Sequence, residues 1–249
     1  RLGHYAPWSG SMDEGWMRWI LDEYEFPYER LRNEDILAGN LNEQYNVISF
    51  AAINGRSILQ GNREGSTPPE YAGGIGEEGI ESLKEFARNG GTIICNGSSA
   101  AFAIEQFGLP VTIISRELAE AGFYSAGSLM EMTYAGPLTW GMEGDGVAFW
   151  SRGQLFDHDS AKAEDPLFHR GARAAAWFTY SESEAPYEGE TLLSGYAENT
   201  DLLLSKVTVM HVPYGEGNIV LFGFNFHNRA QSYSTFKLFF NSLYLEYDR

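Results

Sequence analysis

The segment GGTIICNGSSAAFAIEQFG, from Gly90 to Gly108, limits what this chain can fold into more than any other stretch. Thr92-Ile93-Ile94-Cys95 is a short apolar run rich in β-branched residues. It leads through Asn96-Gly97-Ser98-Ser99 into residues apolar at helical spacing, Ala100, Ala103, Ile104 and Phe107. The order is strand, tight turn, helix. In an open parallel α/β sheet such a turn lies at the carboxyl end of a strand, where ligands bind and the next helix presents unpaired N–H groups. Cys95, the only cysteine in the 249 residues, sits in this segment.

Up to Pro110 the chain keeps the same alternation. Arg1–Tyr5 predicts a first strand, broken by Ala6-Pro7-Trp8-Ser9-Gly10. Ser11-Met12-Asp13-Glu14 predicts a capping box, its serine and glutamate satisfying N–H groups at a helix start. Met12, Trp16, Ile20 and Tyr24 follow at i, i+4, i+8 spacing with Trp19 beside them, which predicts one buried face of this helix. Tyr28–Arg32 and Asn46–Ala52 read as further strands, and Glu77–Asn89 as a helix with Ile80, Leu83, Phe86 and Ala87 inward, ended by Gly90-Gly91. Strands and helices alternating at this interval imply a parallel sheet. Between them, Asn62 to Gly74 is rich in turn formers and lacks periodicity. Long loops of this kind often carry function, and Arg63 is its natural anion contact.

Beyond Pro110 the character changes to short β-like runs, Leu129–Tyr134, Val147–Trp150 and Ala174–Tyr180, separated by Gly, Pro and Asp turns. The expectation is a single domain over 1–249, with an α/β core at about 1–115 and 195–249 and a β-rich insertion at about 116–194. Val207–Val212 and Asn218–Phe224 are strands joined by the hairpin signal Tyr214-Gly215-Glu216-Gly217. A final helix places Phe236, Phe239, Phe240 and Leu243 on one face.

A formal charge of −17 argues against nucleic acid or an anionic membrane surface as a partner, because like charge repels at both. No apolar run approaches the roughly 18 residues of a membrane span. One cysteine excludes an internal disulfide and a cysteine-rich zinc site. Glu182, Glu184, Glu188 and Glu190 read as a solvated acidic loop, and His158 and His169, without partners at ligand spacing, as surface histidines. The start at Arg1, without methionine and inside a predicted strand, suggests a piece of a longer polypeptide.

Two local matches make the chain resemble class I glutamine amidotransferases, which have a flavodoxin-like fold and a Cys-His-Glu triad. Ile94-Cys95-Asn96-Gly97 looks like that family's nucleophile elbow, Gly-x-Cys-x-Gly, and Phe226-His227 follows a late strand as in its closing Phe-His-Pro-Glu. Ile93 stands where the elbow wants glycine, and Asn228-Arg229 replaces Pro-Glu, removing the carboxylate that would orient the histidine. If the turn instead falls at Gly97-Ser98, Cys95 points into the core. A broader resemblance rests on a series of short strings. They are Ser11-Met-Asp-Glu-Gly-Trp16, Pro68-Pro-Glu-Tyr71, Gly73-Gly-Ile-Gly-Glu-Glu-Gly79, Phe102-Ala-Ile-Glu105, Gly108-Leu-Pro-Val111, Phe123-Tyr-Ser-Ala-Gly-Ser128 and Arg229-Ala-Gln231 with Thr235-Phe-Lys-Leu-Phe-Phe-Asn241. Their order resembles the amidotransferase-like domain at the C-terminal end of large bacterial zinc carboxypeptidases of the carboxypeptidase A type. That resemblance implies an upstream, normally exported zinc peptidase domain. The peptidase's His-x-x-Glu motif is absent here, so zinc belongs to the implied parent and no metal or cofactor is placed in this piece.

The sequence therefore leads to a flavodoxin-like, class I amidotransferase-like three-layer α/β domain that is not itself catalytic. It would pack on the peptidase domain or bind part of its substrate through Arg63, Asn96, Ser98, Ser99, His227 and Arg229. One alternative is acyl transfer by Cys95 and His227. Another is a sugar- or peptide-binding face near Trp8, Tyr71 and Tyr124. The 62–74 loop, the 97–99 turn and the 227–229 segment should converge on one edge of the sheet, a field suited to a carboxylate such as a peptide C-terminus.

Overall fold

The computed structural model describes residues 1–142, 145–168, 171–179 and 190–245. His169, Tyr180, Glu182, Glu184 and Glu188 lie outside them. The first half alternates as β1 (Leu2–Tyr5), α1 (Met12–Glu23), β2 (Tyr28–Leu31), α2 (Asn33–Leu37), α3 (Leu41–Gln44), β3 (Val47–Phe50), α4 (Gly55–Leu59), α5 (Gly76–Arg88), β4 (Thr92–Asn96) and α6 (Ser98–Phe107). Then follow β5 (Val111–Ile113), α7 (Ser115–Glu120), β6 (Tyr124–Ser125), β7 (Ser128–Tyr134), β8 (Asp145–Trp150), β9 (Phe156–His158) and β10 (Arg173–Phe178). β11 (Leu192–Ser194), β12 (Ala197–Glu198), β13 (Val207–Tyr214), β14 (Gly217–Phe222) and α8 (Tyr233–Ser242) complete the order.

β2, β1, β3, β4 and β14 lie side by side in that order and run parallel, in the registers Leu2↔Tyr28, Leu2↔Val47, Val47↔Thr92 and Asn218↔Thr92. Their carboxyl ends therefore share one edge. β13 turns back against β14, and β10, β7 and β11 continue the sheet antiparallel, with β8 paired to β7. Strands β7, β8, β10 and β11 of the 116–194 region thus extend the main sheet. Only the short ribbon of β6 and β12 is separate among the described residues. The physical reason is β13, buried along almost its whole length, which needs partners on both edges.

Alternation along the strands divides the core. Tyr5, Ile48, Phe50, Ile93, Cys95, Ile219 and Leu221 face α5 and α6, with Ile80, Leu83, Phe86, Ala100 and Phe102. Leu2, Val47, Ile94, Val220 and Phe222 face α1 and α8 on the other side, with Met17, Ile20, Leu21, Phe236 and Phe239.

The helix starting at Ser11 departs from its pattern. Its buried stripe is Glu14, Met17, Ile20 and Leu21, while Met12 is 67%, Tyr24 49% and Trp19 39% exposed. α1 carries more apolar residues than one face holds, and the sheet takes the aliphatic stripe. The capping box is half made: Ser11 Oγ accepts from Glu14 N at 3.2 Å, but the Glu14 carboxylate turns to Arg18 at 2.6 Å and Arg30 at 3.5 Å.

Candidate functional site

The strand-to-helix turn between β4 and α6 pivots on Gly97, at φ 56° and ψ −120°. Its N–H donates to Phe222 O at 2.8 Å, and a Cβ there would stand 3.0 Å from that of Ala52. An elbow nucleophile occupies the strained pivot of such a turn, where its side chain clears the sheet. Here the pivot has no side chain. Cys95, two residues earlier, is fully buried on the α5–α6 side, and burial pushes its thiol up to about 12 against a smaller opposing hydrogen bond from Ser99. Ser99 Oγ is itself engaged with Asn96 O at 2.9 Å and Phe50 O at 3.3 Å, and Ser98 opens the helix.

Asn96 is fully buried and begins a chain of polar side chains that reaches α1. Asn96 Nδ2 donates to Asn225 Oδ1 at 3.2 Å, and Asn225 Nδ2 donates to Asp13 Oδ1 at 2.8 Å, linking β4, the segment after β14 and α1. Burial raises the Asp13 carboxyl above the ordinary range, opposed by Asn225 and by the Arg229 charge. His227 is fully buried, edge-on to Phe226 at 5.2 Å, and neither ring nitrogen has a hydrogen-bond partner within the protein. Burial first, then neighbouring His4, lowers its pKa to about 3. His4 is also fully buried, its Nδ1 2.9 Å from Ser49 Oγ, and burial lowers it likewise to about 3. Phe226 packs among the α8-side residues Phe222 and Phe239, so Cys95 and the His227 neighbourhood occupy opposite faces of the sheet.

Arg229 is exposed and lies in a run of positive φ, Asn228 21°, Arg229 56° and Ala230 57°. Such conformations cost on the order of 1–3 kcal/mol each and persist only where surroundings impose them. Arg63 is exposed on the Asn62–Gly74 loop, whose ties run elsewhere. Gly73 N donates to Asn62 O at 2.8 Å, Asn33 Nδ2 to Gly73 O at 3.0 Å, and the Tyr71 ring packs tilted against Trp8, centroids 4.7 Å apart. The loop is thus moored at the carboxyl ends of β1 and β2, with the Arg32 guanidinium 3.9 Å above the Trp8 ring. The charge of Arg229 instead acts on Asp13 at the start of α1. Trp8 and Tyr71 come together, whereas Tyr124 pairs with Tyr196 at 6.2 Å on the separate ribbon.

Sequence reasoning missed His4, Ser49, Asp13 and Asn225. Strand alternation carried a signal for the first two, since Leu2 and His4 must share a face and Ser49 stands opposite His4 in register. Asp13 reads in the sequence only as part of a cap. No three His, Cys, Asp or Glu side chains among the described residues form a metal-holding group, and no described helix is long and apolar enough to cross a membrane.

The fold is a flavodoxin-like α/β fold of the kind seen in class I glutamine amidotransferase-like proteins, and solved structures share it. A ThuA-like protein from Bacteroides uniformis superposes with TM-score 0.50 at 9% identity, over 97% of this chain and 88% of that one. A protein assigned as a GMP synthase subunit, from Thermoplasma acidophilum, gives 0.51 at 10% identity, over 97% and 92%. A cytoplasmic protein of Salmonella typhimurium gives 0.53 at 14% identity, over 97% and 96%. No protein-family model matches the chain, and no curated protein matches it in sequence.

Proposed function

We propose that this chain is a non-catalytic accessory domain of amidotransferase-like fold, which binds a ligand or a neighbouring domain through the carboxyl edge and flanks of its sheet. The observation that carries this reading is the pivot at Gly97: the position from which an elbow nucleophile works has no side chain. Cys95 lies on the far face from His227, and burial favours its neutral thiol. His227 has no carboxylate to orient it and is held neutral by burial.

The ordered motifs from Ser11 to Asn241 support the finer reading that the parent is a zinc metallocarboxypeptidase-like protein, exported, with its metal in an upstream peptidase domain. In that setting the ligand is a peptide or its terminal carboxylate, and Arg229 and Arg63 are the charges available to it. The test is enzymatic and chemical. Residues 1–249 should release no ammonia from glutamine, and Cys95 should alkylate at neutral pH only as fast as the protein opens. Glutaminase activity abolished by Cys95→Ala, or rapid alkylation at pH 6, would overturn the non-catalytic reading in favour of Cys-His acyl transfer.

A further inference from the structure

One carboxylate and three guanidiniums gather between α1 and the edge strand β2. Glu14 is buried, its Oε1 lies 2.6 Å from Arg18 Nε and 3.5 Å from Arg30 Nε, and its Oε2 accepts from Arg18 Nη2 at 3.4 Å. Strand register explains the meeting. Leu2 pairs with Tyr28 and His4 with Arg30, so Tyr28 and Arg30 share the α1 side of the sheet with Leu2. Arg32 follows the end of β2, where its Nη1 donates to Ala6 O at 2.6 Å and its guanidinium stands 3.9 Å over the Trp8 ring. Burial, then the charge of Arg30, lowers its pKa, with Glu14 and Glu34 opposing and Arg18 adding to the repulsion.

A buried carboxylate needs one well-placed cation, and Arg18 already meets Glu14 with two N–H groups. Arg30 and Arg32 are surplus to that pairing. Other acids nearby are engaged: Glu34 accepts from Trp8 Nε1 at 3.3 Å, Asp35 from the Arg32 backbone N–H at 2.7 Å, and Asp22 bonds Tyr28. Arg30 is exposed, and Arg18 and Arg32 are half-buried. On a chain of net charge −17, three arginines around one acid reverse the local sign. The wider field is screened beyond about 8 Å at physiological salt, so the local sign governs a bound ion.

We propose that this cluster is a site for a dianionic phosphate group, free or as a monoester, held by N–H groups of Arg30 and Arg32 that Glu14 does not use. Guanidinium forks match phosphate oxygens in pairs, and a dianion answers the two charges that Glu14 leaves over. A single carboxylate would answer one. The site stands apart from the non-catalytic reading, which depends on Gly97, Cys95 and His227.

Titration of residues 1–249 decides it, read from the phosphorus NMR shift of inorganic phosphate and of glycerol phosphate, with chloride holding the ionic strength constant. Saturable shifts are expected, with affinity weakened about tenfold by Arg30→Gln and unaltered by Arg116→Gln on α7. The tighter of the two probes identifies the ligand as the free ion or a monoester. Arg30 is exposed, so its loss should leave the fold intact, which circular dichroism checks. Shifts that never saturate, that Arg30→Gln leaves unchanged, or that Arg116→Gln weakens as much, would overturn the site while the non-catalytic reading stands. Glutaminase activity would overturn that reading and leave the phosphate site untouched.

Discussion

Asn225 donates its amide to Asp13 at 2.8 Å while accepting from Asn96 at 3.2 Å, so one side chain ties the start of α1 to the end of β4. The Asp13 carboxyl is half-buried and depends on this contact. Asn225→Ala should cost about 1–2 kcal/mol, because it strands two partners at once. For a chain of this size that is a fall of roughly 2–8 °C in melting temperature. Asn225→Asp should cost at least as much by setting a second carboxylate beside Asp13. A melting temperature unmoved by Asn225→Ala would show that the link contributes nothing to stability.

His4 and His227 make the fold acid-sensitive. Both have folded-state pKa values lowered to about 3 from 6.5, so the unfolded chain binds protons that the folded chain refuses. Their contribution is complete above pH 6.5 and is lost as pH falls from there towards 3. Between pH 6.5 and 5 each histidine should remove about 1–2 kcal/mol, at up to about 1.4 kcal/mol per pH unit. Urea denaturation at pH 7, 6 and 5 measures this slope. His227→Phe should flatten it by the share of one histidine, and an unchanged slope would locate the acid sensitivity elsewhere.

Gly97 should tolerate no side chain. At φ 56° and ψ −120°, with the Ala52 Cβ 3.0 Å from where its own would stand, Gly97→Ala combines backbone strain with a close contact. A loss of about 1–3 kcal/mol is expected. Ala100→Gly, one turn along α6, should cost about 1 kcal/mol from helix propensity and lost burial. Equal costs at the two positions would mean that the turn has no special conformation to protect.

The parallel half of the sheet was legible because each of its elements is punctuated: Gly90-Gly91 before β4, Gly97 after it, Gly108 ending α6 and the Tyr214–Gly217 hairpin before β14. The antiparallel half was legible as strands but not as part of the same sheet, since pairing partners far apart in sequence leave no local trace. α1 shows how periodicity fails when apolar residues exceed one face. Met12, Trp16, Ile20 and Tyr24 make as regular a stripe as Glu14, Met17 and Leu21, and a buried glutamate paired with Arg18 hid the correct one. At the site, a residue such as Asn225 has no motif. Its role comes from reaching two strangers, Asp13 and Asn96, which no spacing announces.

The carboxylate reading of the edge makes the last prediction. Arg229 is exposed, its backbone is held at a positive φ, and its charge already falls on Asp13, so an anionic ligand there must compete with an internal carboxylate. Arg63, moored with its loop at the ends of β1 and β2, reaches the same ligand only if that ligand spans the α1 start. A single carboxylate should therefore bind weakly, and a peptide with both a free C-terminus and an acidic side chain more tightly. Calorimetric titration of residues 1–249 with such peptides and their C-terminal amides tests this, repeated with Arg63→Ala, Arg229→Ala and Asp13→Asn. Arg229→Ala should weaken binding of the free carboxylate about tenfold, the weight of one charge-assisted contact of about 1.5 kcal/mol. Asp13→Asn should strengthen it by removing the competitor. Amides that bind as well as free acids, or an Asp13→Asn variant no better than the parent, would remove the carboxylate site from Arg229.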